Sequence, residues 1–268
     1  MSRTGMSRLG RWFVRFALPP LALLVCVLVA WHVSVTLLGV KRYLVPRPSD
    51  VFWAGWNHRG ALLSAALTTG KAAAAGFLLS FAAGLLTACI FSQSRAIQRS
   101  IYPYAIFLQT VPIVAIAPLI VTWFGYGLAS VIVVAFIISL FPIITNATTG
   151  LTAIDKNLLE LFELAGASRW QTLWKLRLPS SVPHLATGAK ISSGLSVVGA
   201  IVGEIFAGSE KDQFGLGYLI NQSSGFLKTD YLFAAVLASA VLGILIFGSV
   251  SLLGGWVVAR WHGEKFFG

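Results

Sequence analysis

Six stretches of this chain are each apolar over about the ~20 residues that a helix needs to cross the hydrocarbon core of a bilayer. They lie near Ala17–Val40, Thr68–Phe91, Ile101–Trp123, Ala129–Asn146, Thr187–Gly208 and Tyr231–Ala259. A soluble core cannot absorb so many. The charged fraction agrees: 11% against the ~25% of an ordinary soluble domain, with 57% of residues hydrophobic. The longest polar connections, Lys41–Leu67, Ala147–Ala186 and Ser209–Asp230, are too short for a soluble domain of any size. The expected fold is therefore an all-α membrane protein of about six transmembrane helices.

The net charge of +11 could suggest nucleic acid. However, the basic residues sit between apolar spans rather than on one polar face, which is a topology signal. One side of the membrane receives Arg3, Arg8, Arg11, Arg15, Arg95, Arg99, Lys156, Arg169, Lys175, Arg177, Arg260 and Lys265, twelve in all. The other receives six: Lys41, Arg42, Arg47, Arg59, Lys211 and Lys228. The positive-inside rule places both termini and the Ala147–Ala186 loop in the cytoplasm. The Arg-rich start resembles a signal peptide, but the apolar run after it is too long and lacks a small-x-small cleavage site, so an uncleaved first span is expected. Cys26 and Cys89 both fall inside spans and read as small packing residues. His32, His58, His184 and His262 show no ligand spacing, so no metal is expected.

Two spans carry small residues every four positions: Ala72, Gly76, Ser80, Gly84 and Ala88 in one, Gly188, Ser192, Ser196 and Ala200 in the other, continuing to Glu204 and Gly208. Such stripes let helix backbones approach closely. They fit packing inside one subunit, and also a dimer seam or a pore lining.

The cytoplasmic loop is the most informative segment. Glu160–Pro179 reads ELFELAGASRWQTLWKLRLP. Leu158–Ala165 forms helix readily, and Gly166 can supply the left-handed residue that closes it. Ser168 stands three residues before Gln171, the spacing of a capping box, so a second short helix should start there. Trp170, Leu173, Trp174 and Leu178 are expected on one face of it, with Pro179 and Pro183 as its stop. This helix–turn–helix knob suits insertion into a groove on a partner. An interfacial helix resting on lipid headgroups would suit the same residues.

The order Glu-x-x-x-x-x-Gly, nine residues, then Leu-x-Leu-Pro resembles the cytoplasmic "EAA" loop of binding-protein-dependent ABC importer permeases. Glu160, Gly166, Leu176 and Leu178-Pro179 occupy the matching positions. Gly166–Gln171 is especially similar to the nitrate, sulfonate and taurine subgroup, which includes thiamine-precursor permeases. The likeness continues through Leu44–Phe52, Gln109–Gly125 and Phe214–Ile220. Leu161 and Phe162 replace the two alanines that usually follow the glutamate.

The resemblance implies a type I ABC importer transmembrane domain at 61–260, after a cytoplasmic segment at 1–16 and a first span with external segment at 17–60. A cytoplasmic tail closes the chain at 261–268. The same resemblance implies that Glu160, Glu163, Ala165, Gly166, Ala167, Ser168, Trp170, Leu176, Leu178 and Pro179 couple to a separate ATPase. It further implies a periplasmic or lipid-anchored binding protein, a second copy of the chain, and a bacterial inner-membrane location. No Gly-x-x-x-x-Gly-Lys-Ser/Thr occurs in the sequence, so ATP is expected on a partner subunit, with no catalytic residue and no cofactor here. Gln109, Ser196 and Glu204 are candidates for the pathway or its gate; for Glu204 a structural carboxylate near the outer end is the competing role. Two other classes of protein are the rivals. An ion-gradient-driven transporter would show paired intramembrane charges in repeated halves, and a membrane enzyme would show a clustered nucleophile and base. The sequence shows neither pattern.

Overall fold

The computed structural model describes residues 18–208 and 214–262, and every regular element among them is helical. Segment 1–16, residues 263–268 of the expected tail, and Lys211 lie outside the described residues. In chain order the helices are α1 (Leu18–Leu37), α2 (Pro48–Asn57), α3 (Arg59–Gln93), α4 (Arg95–Thr110) and α5 (Ile113–Phe124). They continue as α6 (Leu128–Thr152), α7 (Lys156–Leu164), α8 (Arg169–Ala207), α9 (Leu216–Gly225) and α10 (Thr229–His262). Among the described residues, α1, α3, α6, α8 and α10 are long and apolar enough to cross a membrane.

The stretch expected as the third span, Ile101–Trp123, is instead divided between two helices. Val111 and Pro112 both take extended backbone angles between α4 and α5. Pro112 is the cause, because its ring disfavours the helical conformation in the residue before it. At ~1.5 Å per residue, α4 with 16 residues and α5 with 12 reach about 24 and 18 Å, so neither alone crosses the ~30 Å core. After α5 the chain reverses at Gly125-Tyr126-Gly127, as expected for a tight turn. Gly125 and Gly127 have φ of +83° and +108°, angles that side-chain-bearing residues rarely adopt. The Ser130 hydroxyl donates to the Gly125 carbonyl and closes the turn.

The chain divides into two compact units: one formed by residues up to Arg59 together with Ser223–Ala234, the other by Gly60–Gln222 and the chain from Ala235 onward. In the first unit, α1 is apolar yet exposed along most of its length, as suits a helix solvated by lipid. Arg42 holds this unit's ends together, its Nη2 donating to Asp230 at 3.0 Å and its Nε lying 3.6 Å from Asp50. Arg42 is 66% exposed, so these ion pairs contribute at most about 1 kcal/mol. Trp31 against Phe233 and His58 against Tyr231 add aromatic contacts, with ring centroids 5.7 and 4.6 Å apart.

The second unit is organised around α6. α3 packs on one side of it through the first small-residue stripe: a Cβ on Gly76 would come within 2.6 Å of the Ala135 Cβ, and one on Gly84 within 2.7 Å of Ile143. α8 packs through its own stripe, where a Cβ on Gly188 would meet Asn146 and one on Gly199 the Ala135 Cα at 2.7 Å. Both stripes thus serve packing within the chain. Ser139 of α6 ties the three helices together, with Ser80 Oγ of α3 2.9 Å from its hydroxyl and Ser192 Oγ of α8 donating to its carbonyl at 2.6 Å. All three serines are fully buried. Since lipid tails are as apolar as the side chains, close backbone approach and such hydrogen bonds are what hold these helices together.

Candidate functional site

The knob expected from the loop sequence is present. The Asp155 side chain accepts from the Asn157 N–H at 2.9 Å and opens α7. Gly166, at φ +68°, closes it. The Gly166 N–H bonds to the Glu163 carbonyl and the Ala167 N–H to that of Phe162, both at 3.0 Å, which is a Schellman closure. Ser168 and Gln171 then form the reciprocal capping box: the Ser168 N–H donates to Gln171 Oε1 at 2.8 Å and the Gln171 N–H to Ser168 Oγ at 3.3 Å.

Beyond the capping box the structure departs from expectation. The second helix does not stop at Pro179 and Pro183; it runs on as α8 to Ala207. A π turn at Leu173–Arg177 makes this possible. The Leu178 N–H bonds to the Leu173 carbonyl, five residues back, and the widened turn relieves the clash a proline ring makes with the carbonyl four residues before it. The extra residue also rotates the expected face apart. Leu173 and Leu176 are buried, and Leu173 packs against Ala88, Ala147 and Leu151, with Leu178 beside it. Trp170 and Trp174 instead stand 67% and 66% exposed.

Of the expected coupling residues, Glu160, Glu163, Ala165, Gly166, Ser168 and Trp170 are exposed, and Ala167 is half-buried. Leu176 is buried and Leu178 and Pro179 are half-buried, so these three join the knob to the bundle. Leu161 and Leu164 are 59% and 87% exposed, so the knob shows large apolar groups in addition to the two tryptophans. An exposed apolar group of this kind, rimmed by charge, marks a surface that meets either a protein or a membrane.

In the sequence Arg177 reads only as one more positive charge. In the structure its Nη1 donates to the Ser92 carbonyl at 2.7 Å and reaches that of Leu151 at 3.5 Å. It therefore ties the π turn to the C-terminal ends of α3 and α6, where a cation also meets the favourable end of the helix dipole. A basic residue directly before Leu178-Pro179 is the only signal, and nothing in the sequence names its acceptors.

Glu204, 3% exposed near the other end of α8, turns out to be a cap. Its Oε2 accepts from the Gly217 N–H at 2.7 Å and lies 3.0 Å from the Thr69 hydroxyl of α3. Thr69 in turn accepts from the Leu216 N–H at 2.8 Å. Together Glu204 and Thr69 satisfy the first amides of α9, and the carboxylate faces the positive end of its dipole. A Cβ on Gly215 would overlap the Glu204 carboxylate, and one on Gly217 the Ile201 carbonyl, which explains the glycines of the Phe214–Ile220 segment. These capping contacts all fall on Oε2; Oε1 is buried with no hydrogen-bond partner among the described residues. Ser196 is fully buried, its hydroxyl bonded to the Ser193 carbonyl at 2.9 Å. Gln109 is exposed and lines a cavity of about 440 Å³ at the α4–α5 break, whose other walls are apolar.

The described residues thus form an apolar helical bundle to which a capped helix–turn–helix knob is joined through the buried Leu173 and Leu176. Residues 80–262 match the family described as "Binding-protein-dependent transport system inner membrane component", and the chain belongs to that family. It is a permease subunit of an ABC importer, without an ATPase site of its own. It is similar to the "Riboflavin transport system permease protein RibX" of Chloroflexus aurantiacus, 34% identical over 97% of each chain. The "Formylaminopyrimidine transport permease protein ThiX" of Halalkalibacterium halodurans is 31% identical, covering 88% of this chain and 93% of that one. The "Taurine transport system permease protein TauC" of Escherichia coli is 27% identical over 90% and 88%. Among solved structures, an inward-facing MetNI methionine ABC transporter shares the fold: TM-score 0.64, 18% identity, covering 75% of this chain and 98% of that one.

Proposed function

We propose that this permease works as two copies that together enclose the pathway, each gripped at Glu160–Pro179 by a separate cytoplasmic ATPase. A soluble or lipid-anchored binding protein delivers solute at the outer face. The solute is a small polar or anionic compound of the nitrate, sulfonate, taurine or thiamine-precursor kind; the relatives named for formylaminopyrimidine and taurine support that range, while the one named for riboflavin lies outside it. Both termini lie in the cytoplasm of a bacterial cell, 61–260 forms the transport domain proper, and 17–60 is an added first span with its external segment.

The observation that carries this reading is the continuity of α8. Helix runs unbroken, through one π turn, from Arg169 in the knob to Ala207, next to the Glu204 cap. A pull on the exposed Leu161, Leu164, Trp170 and Trp174 side chains therefore passes as a rigid displacement along the bundle, the kind of element that converts closure of two ATPases into alternating access. Gly166 supplies the sharp turn, and Glu160 meets a basic or polar group on the ATPase.

The test is reconstitution with the ATPase and the binding protein in liposomes. The Glu160→Ala variant should hydrolyse ATP while importing several-fold less solute per ATP. Full transport by that variant contradicts the assignment of Glu160, and uptake against a gradient by the chain with no ATPase present contradicts the function as a whole.

A further inference from the structure

Beside the knob is a second cavity, of about 400 Å³, that the proposed transport mechanism does not use. Its walls come from four places in the second unit: Gln93 at the end of α3, Gln98 and Arg99 of α4, Thr152 at the end of α6, and the knob itself through Leu159 of α7 and Arg177 of the π turn. Among the described residues no Asp or Glu lines it. The lining thus offers two guanidinium groups and two amides as donors, with no carboxylate to neutralise them.

Gln93 adds an independent sign. Its Nε2 has no hydrogen-bond partner among the described residues and is buried, so an acceptor in the cavity meets it only once the side chain turns about its last torsions. An orphaned buried donor destabilises the fold unless an acceptor reaches it. The carbonyls at the ends of α3 and α6 are the natural objection, since helix C-termini repel anions. Arg177 answers part of it, because its Nη1 is already spent on the Ser92 and Leu151 carbonyls of those ends, while its other guanidinium nitrogens form no hydrogen bond within the described residues.

We infer that this cavity binds a phosphate-type oxyanion, whether a free phosphate or the phosphate of an anionic lipid headgroup. Arg99 and Arg177 supply charge, and Gln93 and Gln98 supply directed hydrogen bonds. Charge-assisted bonds from a guanidinium fork are the strong ones for this geometry. Because Leu159 and Arg177 belong to the knob assembly, an occupied cavity joins α4 to the knob and stiffens it against the bundle. This inference concerns a site separate from the solute pathway and does not depend on which solute is carried.

The test uses the full chain, with whatever subunits accompany it, in nanodiscs of neutral phosphatidylcholine. Nucleotide sites are filled with Mg-ADP, and Tm is followed against inorganic phosphate at constant ionic strength. A second set of nanodiscs contains phosphatidylglycerol and no added phosphate. Occupancy should raise Tm by about 3 °C in one arm or the other. A response to phosphate identifies a free ion, and a response only to phosphatidylglycerol identifies the headgroup. Arg99→Gln and Gln93→Glu should each weaken the response about tenfold. Arg99→Lys should restore part of it, and Arg169→Gln, on the knob but outside the cavity, should leave it unchanged. The inference is overturned if neither probe raises Tm, if Arg99→Gln responds fully, or if Arg169→Gln weakens the response as much as Arg99→Gln.

Discussion

Glu204 shows how an ionisable side chain within a membrane-spanning helix can be held by capping contacts. Its carboxylate is buried, but two donors converge on Oε2 and a helix N-terminus faces it. Removing the side chain leaves the Gly217 N–H buried and unpaired. Glu204→Ala should therefore cost about 2–3 kcal/mol, whereas Glu204→Gln, which keeps an acceptor and loses only the charge–dipole part, should cost about 1 kcal/mol. Thermal unfolding in detergent checks both, and a parental Tm in Glu204→Ala would show that the cap is not needed. The sequence displays Glu204 plainly as an ionisable residue in an apolar run. Its partner cannot be read there, because Thr69 lies 135 positions away and only folding brings it near.

At the scale of helices, α6 is where the unit is most sensitive. A Cβ on Gly199 would lie 2.7 Å from the Ala135 Cα of α6, and backbone cannot move aside as a flexible side chain can. Gly199→Val should push α8 off α6 and cost about 2–3 kcal/mol, read as lower yield of folded protein and lower Tm. Gly194→Val on the same helix has open space around it and serves as the tolerated control. Arg177→Gln should cost about 1–2 kcal/mol, since the Ser92 and Leu151 carbonyls lose a charged donor. It should also lower solute imported per ATP, because the knob loses its tie to α3 and α6. Parental coupling in this variant would argue that the buried Leu173 and Leu176 suffice as the joint.

For the molecule as a whole, the distribution of Lys and Arg predicts an orientation that can be checked without knowing the solute. With Cys26 and Cys89 replaced by Ser, a cysteine introduced at Leu164 should react with a membrane-impermeant reagent only in inverted vesicles. One at Tyr126, in the exposed α5–α6 turn, should react in intact spheroplasts. Labelling of both from the same side would refute the assigned topology. The basic residues that set the bias belong to both ends of the chain and to the loops between spans, so no single element determines it.

Hydrophobic length, small-residue stripes, the tight Gly-Tyr-Gly turn and both helix caps of the knob were legible in the sequence. Each depends on residues within a few positions of one another, where propensity and capping act locally. The break at Pro112 and the π turn before Pro179 are also local, but hydropathy passes over them; tertiary structure alone decided which distant groups Glu204 and Arg177 hold. Those outcomes turn on how carbonyls and amides on separate helices meet once the bundle has packed. No window of sequence contains both halves of such a contact.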